Sequence, residues 1–305
     1  MLVVAKPLLV RARAEGYAIP AFNINNLEIL KAVMAAAEKL RSPVIVQTSE
    51  GAIAYAGMPY LIAMVRVAAQ GDIPVVLHLD HGKDLGMIKR AITSGYTSVM
   101  YDGSSLPYAD NVAHTKLVVG WAKAKHVSVE TELGALKGIE DFVNVAEKDA
   151  HLTDPEEAAR FAKETGCHSL AVAIGTAHGA YKFKGKTHVD IERLKRIAQL
   201  VDLPIVLHGA SGVLEDVVKM AEHYGAKLGE ARGVMDTDIV DAIKYGVAKI
   251  NIDTDLRLAF TAGVREGLAR EPSLFDPRKI MEPAMTLMTE IAKRKMKIFG
   301  STGKA

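Results

Sequence analysis

The chain reads as an α/β protein of the (β/α)8, TIM-barrel type with extra C-terminal helices. Three observations predict this fold. Eight short runs are almost continuously apolar, amphipathic stretches of helical length separate them, and polar residues gather at the ends of the runs rather than their starts. The runs are 18–23, 43–49, 73–80, 96–103, 127–134, 169–176, 203–210 and 247–254. Most are rich in Val and Ile, as parallel strands covered on both faces are.

The intervening segments support the same reading in order. Residues 27–40 repeat apolar positions at spacings of three and four, with Lys31, Glu38 and Lys39 among them. Asp154 stands before Pro155 at the head of 155–165, a helix start signal. Residues 189–200 and 214–224 have the same amphipathic character. Gly71, Gly95, Gly166 and Gly246 precede strands and fit helix C-terminal caps. Eight strands alternating with helices imply a parallel sheet with right-handed crossovers, and closing the eighth on the first makes the barrel. The rival, an open doubly wound sheet, wants a Gly-rich G-x-G-x-x-G turn after an early strand. The first run ends instead in Phe22-Asn23-Ile24-Asn25. No linker or low-complexity segment divides the chain, so residues 1–305 are read as one barrel domain. The extra length falls in a loop at about 136–154, expected to be mobile and close to the site, and in C-terminal helices at about 258–305.

Composition narrows the function. With 38 basic and 36 acidic residues the net charge is +2, which gives no support to a nucleic-acid partner. Cys167 is the single cysteine, so neither an intramolecular disulfide nor a cysteine metal cluster can form. Residues 1–14 carry Lys6, Arg11 and Arg13, too much charge for a signal-peptide core. No apolar run reaches the roughly 20 residues of a membrane span. The expectation is a soluble, cytoplasmic protein with no membrane partner.

Barrel enzymes carry their chemistry at the C-terminal ends of the strands. The runs here end in Asn23 and Asn25; Gln47, Thr48 and Ser49; His78, Asp80 and His81; Asp102; Glu130 and Glu132; His178; His208; and Asn251 and Asp253. Among ten histidines, His81, His178 and His208 each follow an apolar run and each precede a glycine. Three imidazoles converging at one barrel mouth match an open catalytic zinc site, with three protein ligands and a free position. Asp80 is a candidate acid/base or the partner that orients a histidine. Asp102 and Glu132 end neighbouring strands and suit a second, oxygen-ligated cation, or else hydrogen bonds to lysine or backbone. Residues 175–179, 209–212 and 251–254 are small or hydroxylated, as anion-binding loops at the ends of strands six to eight are. The 136–154 loop carries Glu140, either a base on a closing lid or part of a solvated acidic surface.

These residues together resemble the class II fructose-1,6-bisphosphate aldolase family, close to its tagatose-bisphosphate relatives, over essentially the whole chain. The resemblance rests on Leu79-Asp80-His81-Gly82, Tyr101-Asp102-Gly103-Ser104, Glu130-Thr131-Glu132-Leu133-Gly134, Gly138-Ile139-Glu140-Asp141, the segment 175–179, His208-Gly209-Ala210-Ser211-Gly212 and Asn251-Ile252-Asp253-Thr254. It implies zinc, replaceable by cobalt, on His81, His178 and His208. It also implies a second divalent or monovalent cation, with Asp102 and Glu132 as ligands of the alternative position. Glu140 would remove the carbon proton of dihydroxyacetone phosphate, Asn251 would hydrogen-bond the enediolate, and Asp80 would protonate the aldehyde oxygen. Gly179, Gly209, Ser211 and Thr254 would hold the ketose phosphate, with Ala210, Ile252 and Asp253 in the same strand ends. Ser49 and Arg257, with Arg278, would meet the other phosphate. The implied partners are fructose 1,6-bisphosphate, dihydroxyacetone phosphate and glyceraldehyde 3-phosphate, in glycolysis and gluconeogenesis, handled by a homodimer or homotetramer. The tagatose-bisphosphate relatives typically have alanine where Asp253 stands. Asp253 can accept a hydrogen bond from a sugar hydroxyl, so fructose 1,6-bisphosphate is the expected substrate and its tagatose epimer the alternative.

Three other readings are weighed against this one. A Schiff-base aldolase wants a lysine at a strand end, and none caps a run. A barrel metal-hydrolase commonly has a His-x-His pair where this chain has Asn23-Ile24-Asn25. A non-catalytic scaffold would use the apolar tail helix, residues 281–297, as a docking face.

Overall fold

In the computed structural model the described residues are 1–135, 151–177, 189–228 and 233–305, plus the backbone of two short strands, β6 (Gly138–Glu140) and β7 (Val143–Val145). Eight parallel strands close into a barrel: β1 (Ile19–Asn23), β2 (Val44–Ser49), β3 (Val75–Gly82), β4 (Ser98–Tyr101), β5 (Ser128–Leu133), β8 (Ser169–Val172), β9 (Ile205–Leu207) and β10 (Val247–Ile252). Their order around the barrel is the order of the sequence, with β10 closing on β1 through the register Ile19↔Lys249 to Phe22↔Ile252. The eight runs read from the sequence are these eight strands. Several strands are shorter than their runs, so the polar residues at the ends stand in the connecting loops. β6 and β7 pair with each other as an antiparallel hairpin outside the barrel.

The helices follow local signals. α2 (Leu27–Leu40), α5 (Leu85–Ser94), α7 (Pro155–Thr165) and α8 (Ile191–Leu200) begin where Asn26, Asp84, Asp154 and Asp190 accept a backbone N–H from the third residue on. Gly95 and Gly166 end α5 and α7 with φ of 112° and 67°, a left-handed turn that glycine adopts without a Cβ clash. Gly246 has φ of 93° one residue beyond the cap of α10 (Asp236–Lys244). Gly71 is different: α4 (Met58–Ala68) is capped by Ala69, and Gly71 uses its carbonyl to accept a bond from the N-terminal ammonium. α3 (Glu50–Ala56), α6 (Tyr108–Lys123) and α9 (Glu215–His223) complete the ring, and two long helices, α11 (Thr254–Arg270) and α12 (Pro277–Ile298), pack on each other after the last strand.

A helix ahead of the first strand was not read from the sequence. α1 (Ala5–Glu15) buries Ala5, Leu9 and Ala12, spaced i, i+4, i+7, against Ile19, Ala21, Ile45 and Val76 inside the barrel. It plugs the N-terminal end, and the remaining interior opens toward the strand C-termini. Among the described residues no single helix is long and apolar enough to cross a membrane; one bent pair, α3 with α4, passes by length and composition only.

Candidate active site

Strand β3 delivers two consecutive side chains to one place. In a regular strand Asp80 and His81 would face opposite sides. Here the β3–β4 register shifts between Leu79 and Gly82, and His81 adopts φ of 46°. This bulge turns both residues toward the barrel mouth, where Asp80, His81 and His208 bring ligand atoms within 4.8 Å of one another. Gly82 permits the close approach: a Cβ there would lie 2.7 Å from the Met100 carbonyl oxygen and 2.9 Å from Ile88.

Carboxylates fix the two histidines. His81 Nδ1 lies 3.0 Å from Asp102 Oδ2, and His208 Nε2 lies 2.9 Å from Glu130 Oε1. An ionised carboxylate only accepts, so each of these nitrogens carries the hydrogen and donates; the tautomers follow from the partners rather than from visible protons. The remaining nitrogens, His81 Nε2 and His208 Nδ1, then point lone pairs at each other across 2.7 Å. Two lone pairs at that distance repel unless a cation or a shared proton lies between them. Carboxylate–histidine pairs aimed this way are how metal ligands are oriented.

The surrounding charge has the sign a cation needs. Burial alone lowers the His81 pKa, but Asp80, Asp102 and Glu132 outweigh it and raise it to about 10. Burial works to raise Asp102, yet the hydrogen bond and charge of His81, helped by Ser104 and Lys83, hold it below the usual carboxylate range. Glu132 is pushed up to about 8 by burial first and then by the Asp102 charge. His81, Asp102 and Glu132 form a second group with ligand atoms within 4.8 Å. Glu132 Oε2 is buried with no hydrogen-bond partner among the described residues. A proton on this cluster therefore takes a place that a divalent ion fits, and the donor set (imidazole and carboxylate, no thiolate) suits zinc or cobalt.

Asp80 is held by three amides. Asn23 Nδ2 and Gln47 Nε2 donate to its Oδ2 at 2.9 and 3.0 Å, and Asn251 Nδ2 donates to its Oδ1 at 2.9 Å. Asn251 Nδ2 is also 3.5 Å from His208 Nδ1, and its Oδ1 is buried with no partner among the described residues. Beneath the histidines, Lys249 donates to Glu130 at 2.8 Å and stands 3.4 Å from His78 Nε2. His78 Nδ1 bonds Ser98 Oγ at 2.8 Å. Burial, then the Lys249 ammonium, hold the His78 pKa well below its ordinary value and keep the ring neutral.

The ends of β9 and β10 form the other wall. Gly209 has φ of 60° and lies so close to Ala177 that a Cβ would meet its carbonyl carbon at 2.7 Å. Ala210, Ser211, Ile252, Asp253 and Thr254 are buried beside it. Asp253 is paired with Arg257 Nε at 2.8 Å, and Ser49 Oγ caps α3 by accepting from Ala52 N at 3.1 Å. Arg278 sits on the first turn of α12, solvent-facing and bound to Asp276 rather than to any residue of the strand-end cluster. His178 and Gly179 lie outside the described residues, and so does the side chain of Glu140, whose backbone pairs with Val143 in the β6–β7 hairpin.

The sequence reading did not single out the Lys249–Glu130 pair or the amides on Asp80 as a unit. A signal for Lys249 was present: a cation two positions before Asn251 shares its strand face and cannot be buried unpaired. Lys249 also qualifies the statement that no lysine caps a strand, since it lies inside β10, though its ammonium is neutralised by Glu130.

Comparison with known proteins agrees with this geometry. A family model described as class II fructose-bisphosphate aldolase matches residues 3–304. Fructose-bisphosphate aldolase from Thermus caldophilus is 51% identical over 305 residues, covering 100% of both chains. The Helicobacter pylori J99 protein of the same name is 44% identical over 306 residues, again with 100% of both covered. Among solved structures, the YdjI aldolase from Escherichia coli K12 superposes with a TM-score of 0.82 at 33% identity, covering 100% of each chain.

Proposed function

The chain belongs to the class II fructose-bisphosphate aldolase family, and from that premise we infer how it works. It is a lyase that cleaves fructose 1,6-bisphosphate reversibly to dihydroxyacetone phosphate and glyceraldehyde 3-phosphate. The observation that carries the residue assignments is the approach of two imidazole nitrogens, His81 Nε2 and His208 Nδ1, to 2.7 Å beside an amide-clamped carboxylate, Asp80. We assign the metal to His81, His208 and His178, with zinc as the ion and cobalt as a substitute. Asp102 and Glu132 provide an alternative position or a second cation site. A metal bound there supplies Lewis acidity to the ketose carbonyl.

The side chains do the rest. In cleavage Asp80 accepts the proton of the substrate's C4 hydroxyl as the C3–C4 bond breaks, and returns it in condensation. Its three amide partners hold the carboxylate in one orientation, which is the geometric requirement for a general base. Asn251, hydrogen-bonded to Asp80, turns its amide N–H to the enediolate oxygen. Glu140 moves the proton at the ketose carbon. Gly179, Gly209, Ala210, Ser211, Ile252 and Thr254 grip the ketose phosphate. Ser49 and Arg257 meet the second phosphate; Arg278 is kept with them on the resemblance alone. Asp253, already oriented by Arg257, accepts from a sugar hydroxyl and favours fructose over its tagatose epimer. Function in cytoplasmic glycolysis and gluconeogenesis as a homodimer or homotetramer completes the reading.

The test supplies the purified protein with fructose and tagatose 1,6-bisphosphates separately. Triose phosphate should form faster from the fructose epimer, and borohydride added with substrate should leave no covalent adduct. An adduct on lysine would replace this mechanism with Schiff-base chemistry, and faster cleavage of the tagatose epimer would reverse the role given to Asp253.

A further inference from the structure

The loop that follows β9, residues 209–213, is held in shape from behind by residues with no assigned part in the reaction. Asp255 accepts from Gly212 N at 3.0 Å and from Val213 N at 2.7 Å. It is fully buried, on the first turn of α11, and its charge is met by Lys295 Nζ at 3.0 Å. Lys295 comes from α12, far along the chain from Asp255, and only 1% of its surface is exposed. A lysine so buried is uncommon unless paired. Its Nζ also lies against Gly212, where a Cβ would meet it at 2.8 Å. A weaker contact to Asp236 at 3.7 Å completes its surroundings. On the opposite side Val234 N donates to the Ser211 carbonyl at 3.2 Å, and Gly233 lies against the backbone of Ser211 and Gly212.

The loop needs this support because its backbone is unusual. Val213 adopts φ of 46°, a region that β-branched residues avoid. Such a conformation persists only where the surroundings over-determine it. The two N–H groups that Asp255 captures are the residues just after Ser211. They fix the direction in which Gly209, Ala210 and Ser211 face the barrel mouth.

We propose that Asp255 and Lys295 are a positioning pair that sets the phosphate-gripping shape of residues 209–213, making the C-terminal helix α12 a working part of the substrate site. The proposal rests on the reading that this loop holds the ketose phosphate. It explains why a charged pair is retained in a place where apolar packing would otherwise serve. Neither residue touches substrate; both act through the backbone of Gly212 and Val213.

The experiment compares the zinc-loaded wild type with Lys295→Met, Asp255→Asn and Ser211→Ala. Affinities for dihydroxyacetone phosphate and for unphosphorylated dihydroxyacetone are measured by calorimetry, beside KM, kcat and metal content. Lys295→Met and Asp255→Asn should weaken dihydroxyacetone phosphate roughly tenfold or more, the equivalent of one misplaced hydrogen bond to a charged group. KM for fructose 1,6-bisphosphate should rise with it, while metal content and the affinity for dihydroxyacetone stay at wild-type values. A general loosening of the fold would move all of these together. If Lys295→Met does not fold, Lys295→Gln still offers an N–H to Asp255 and should show a smaller loss confined to the phosphorylated ligand. Ser211→Ala separates the two levels of the argument. Unchanged phosphate affinity in Ser211→Ala removes the loop reading itself. Weakened affinity there, with wild-type affinity in folded Lys295 and Asp255 variants, overturns the positioning pair alone.

Discussion

Replacing Lys249 by methionine perturbs the site from below without touching a proposed ligand. The ammonium is 1% exposed and lies 2.8 Å from Glu130 Oε1, the same oxygen that receives His208 Nε2–H at 2.9 Å. Methionine is of similar volume, so the packing loss is small and the electrostatic loss dominates. Removing one partner of a buried ion pair leaves an uncompensated charge, at about 3–5 kcal/mol. Uptake of a proton by Glu130 would offset only part of that cost. A protonated carboxyl gains an O–H donor, and where that O–H turns to His208 Nε2 the ring nitrogen becomes the acceptor and its hydrogen moves to Nδ1. That is the nitrogen facing His81 Nε2 across 2.7 Å. The lone pair offered to the metal disappears, and zinc affinity should fall by about 10–100-fold, the usual effect of losing an orienting partner. Denaturant unfolding of the metal-free protein reads the first effect, and chelator competition for zinc reads the second. The double variant Glu130→Gln with Lys249→Met removes both charges and should recover much of the stability without restoring full metal affinity. A Lys249→Met protein that unfolds within about 1 kcal/mol of wild type and binds zinc equally well would refute the tautomer argument.

Further consequences are equally specific. Asp80→Asn should keep its metal and lose about 10²–10⁴ in kcat, the range for a general acid–base group, while Glu140→Ala should also keep its metal but slow exchange of the ketose carbon proton with solvent. Normal exchange in folded, metal-loaded Glu140→Ala would assign the base elsewhere. Gly82→Ala forces a Cβ to within 2.7 Å of the Met100 carbonyl oxygen, so β3 and β4 must separate; a loss of about 1–3 kcal/mol is expected in chemical denaturation, and an unchanged midpoint would contradict the close approach. The Asp255 carboxyl resists burial through the Lys295 charge and the N–H groups of Gly212 and Val213, which hold its pKa below the ordinary value. A depressed folded-state pKa contributes stability above the unfolded value of about 3.9 and loses it as pH falls through the folded value. The melting difference between wild type and Asp255→Asn should therefore be widest at neutral pH and narrow below about pH 4; a difference independent of pH would mean the carboxylate charge is not what stabilises the loop.

The barrel was legible because its signals are local and repeated. Eight Val- and Ile-rich runs map onto eight strands, and α2 and α7 begin and end at the residues the apolar spacing and the Asp154–Pro155 signal indicated. The convergence of Asp80, His81 and His208 was legible as a set of strand ends. The reason consecutive residues can share one site was not. It depends on a register shift and a positive φ at His81, which alternation rules do not contain. α1 was missed because its apolar face is only three residues wide and is interrupted by Lys6, Arg11 and Arg13. The Asp255–Lys295 pair lay beyond sequence reading for a different reason. Its partners come from helices whose relative placement is decided by packing, and a lysine in an amphipathic tail reads as solvated until the fold buries it.

The most direct test of the account titrates zinc into metal-stripped protein while fructose 1,6-bisphosphate cleavage and bound metal are measured on the same samples. Activity should be absent at the start, rise in proportion to bound zinc, and saturate at about one ion per chain, as a three-histidine catalytic site would require; His208→Ala should follow neither curve. Full cleavage by the metal-free protein, or by His208→Ala, would contradict the assignment of the barrel-mouth histidines as the working metal centre.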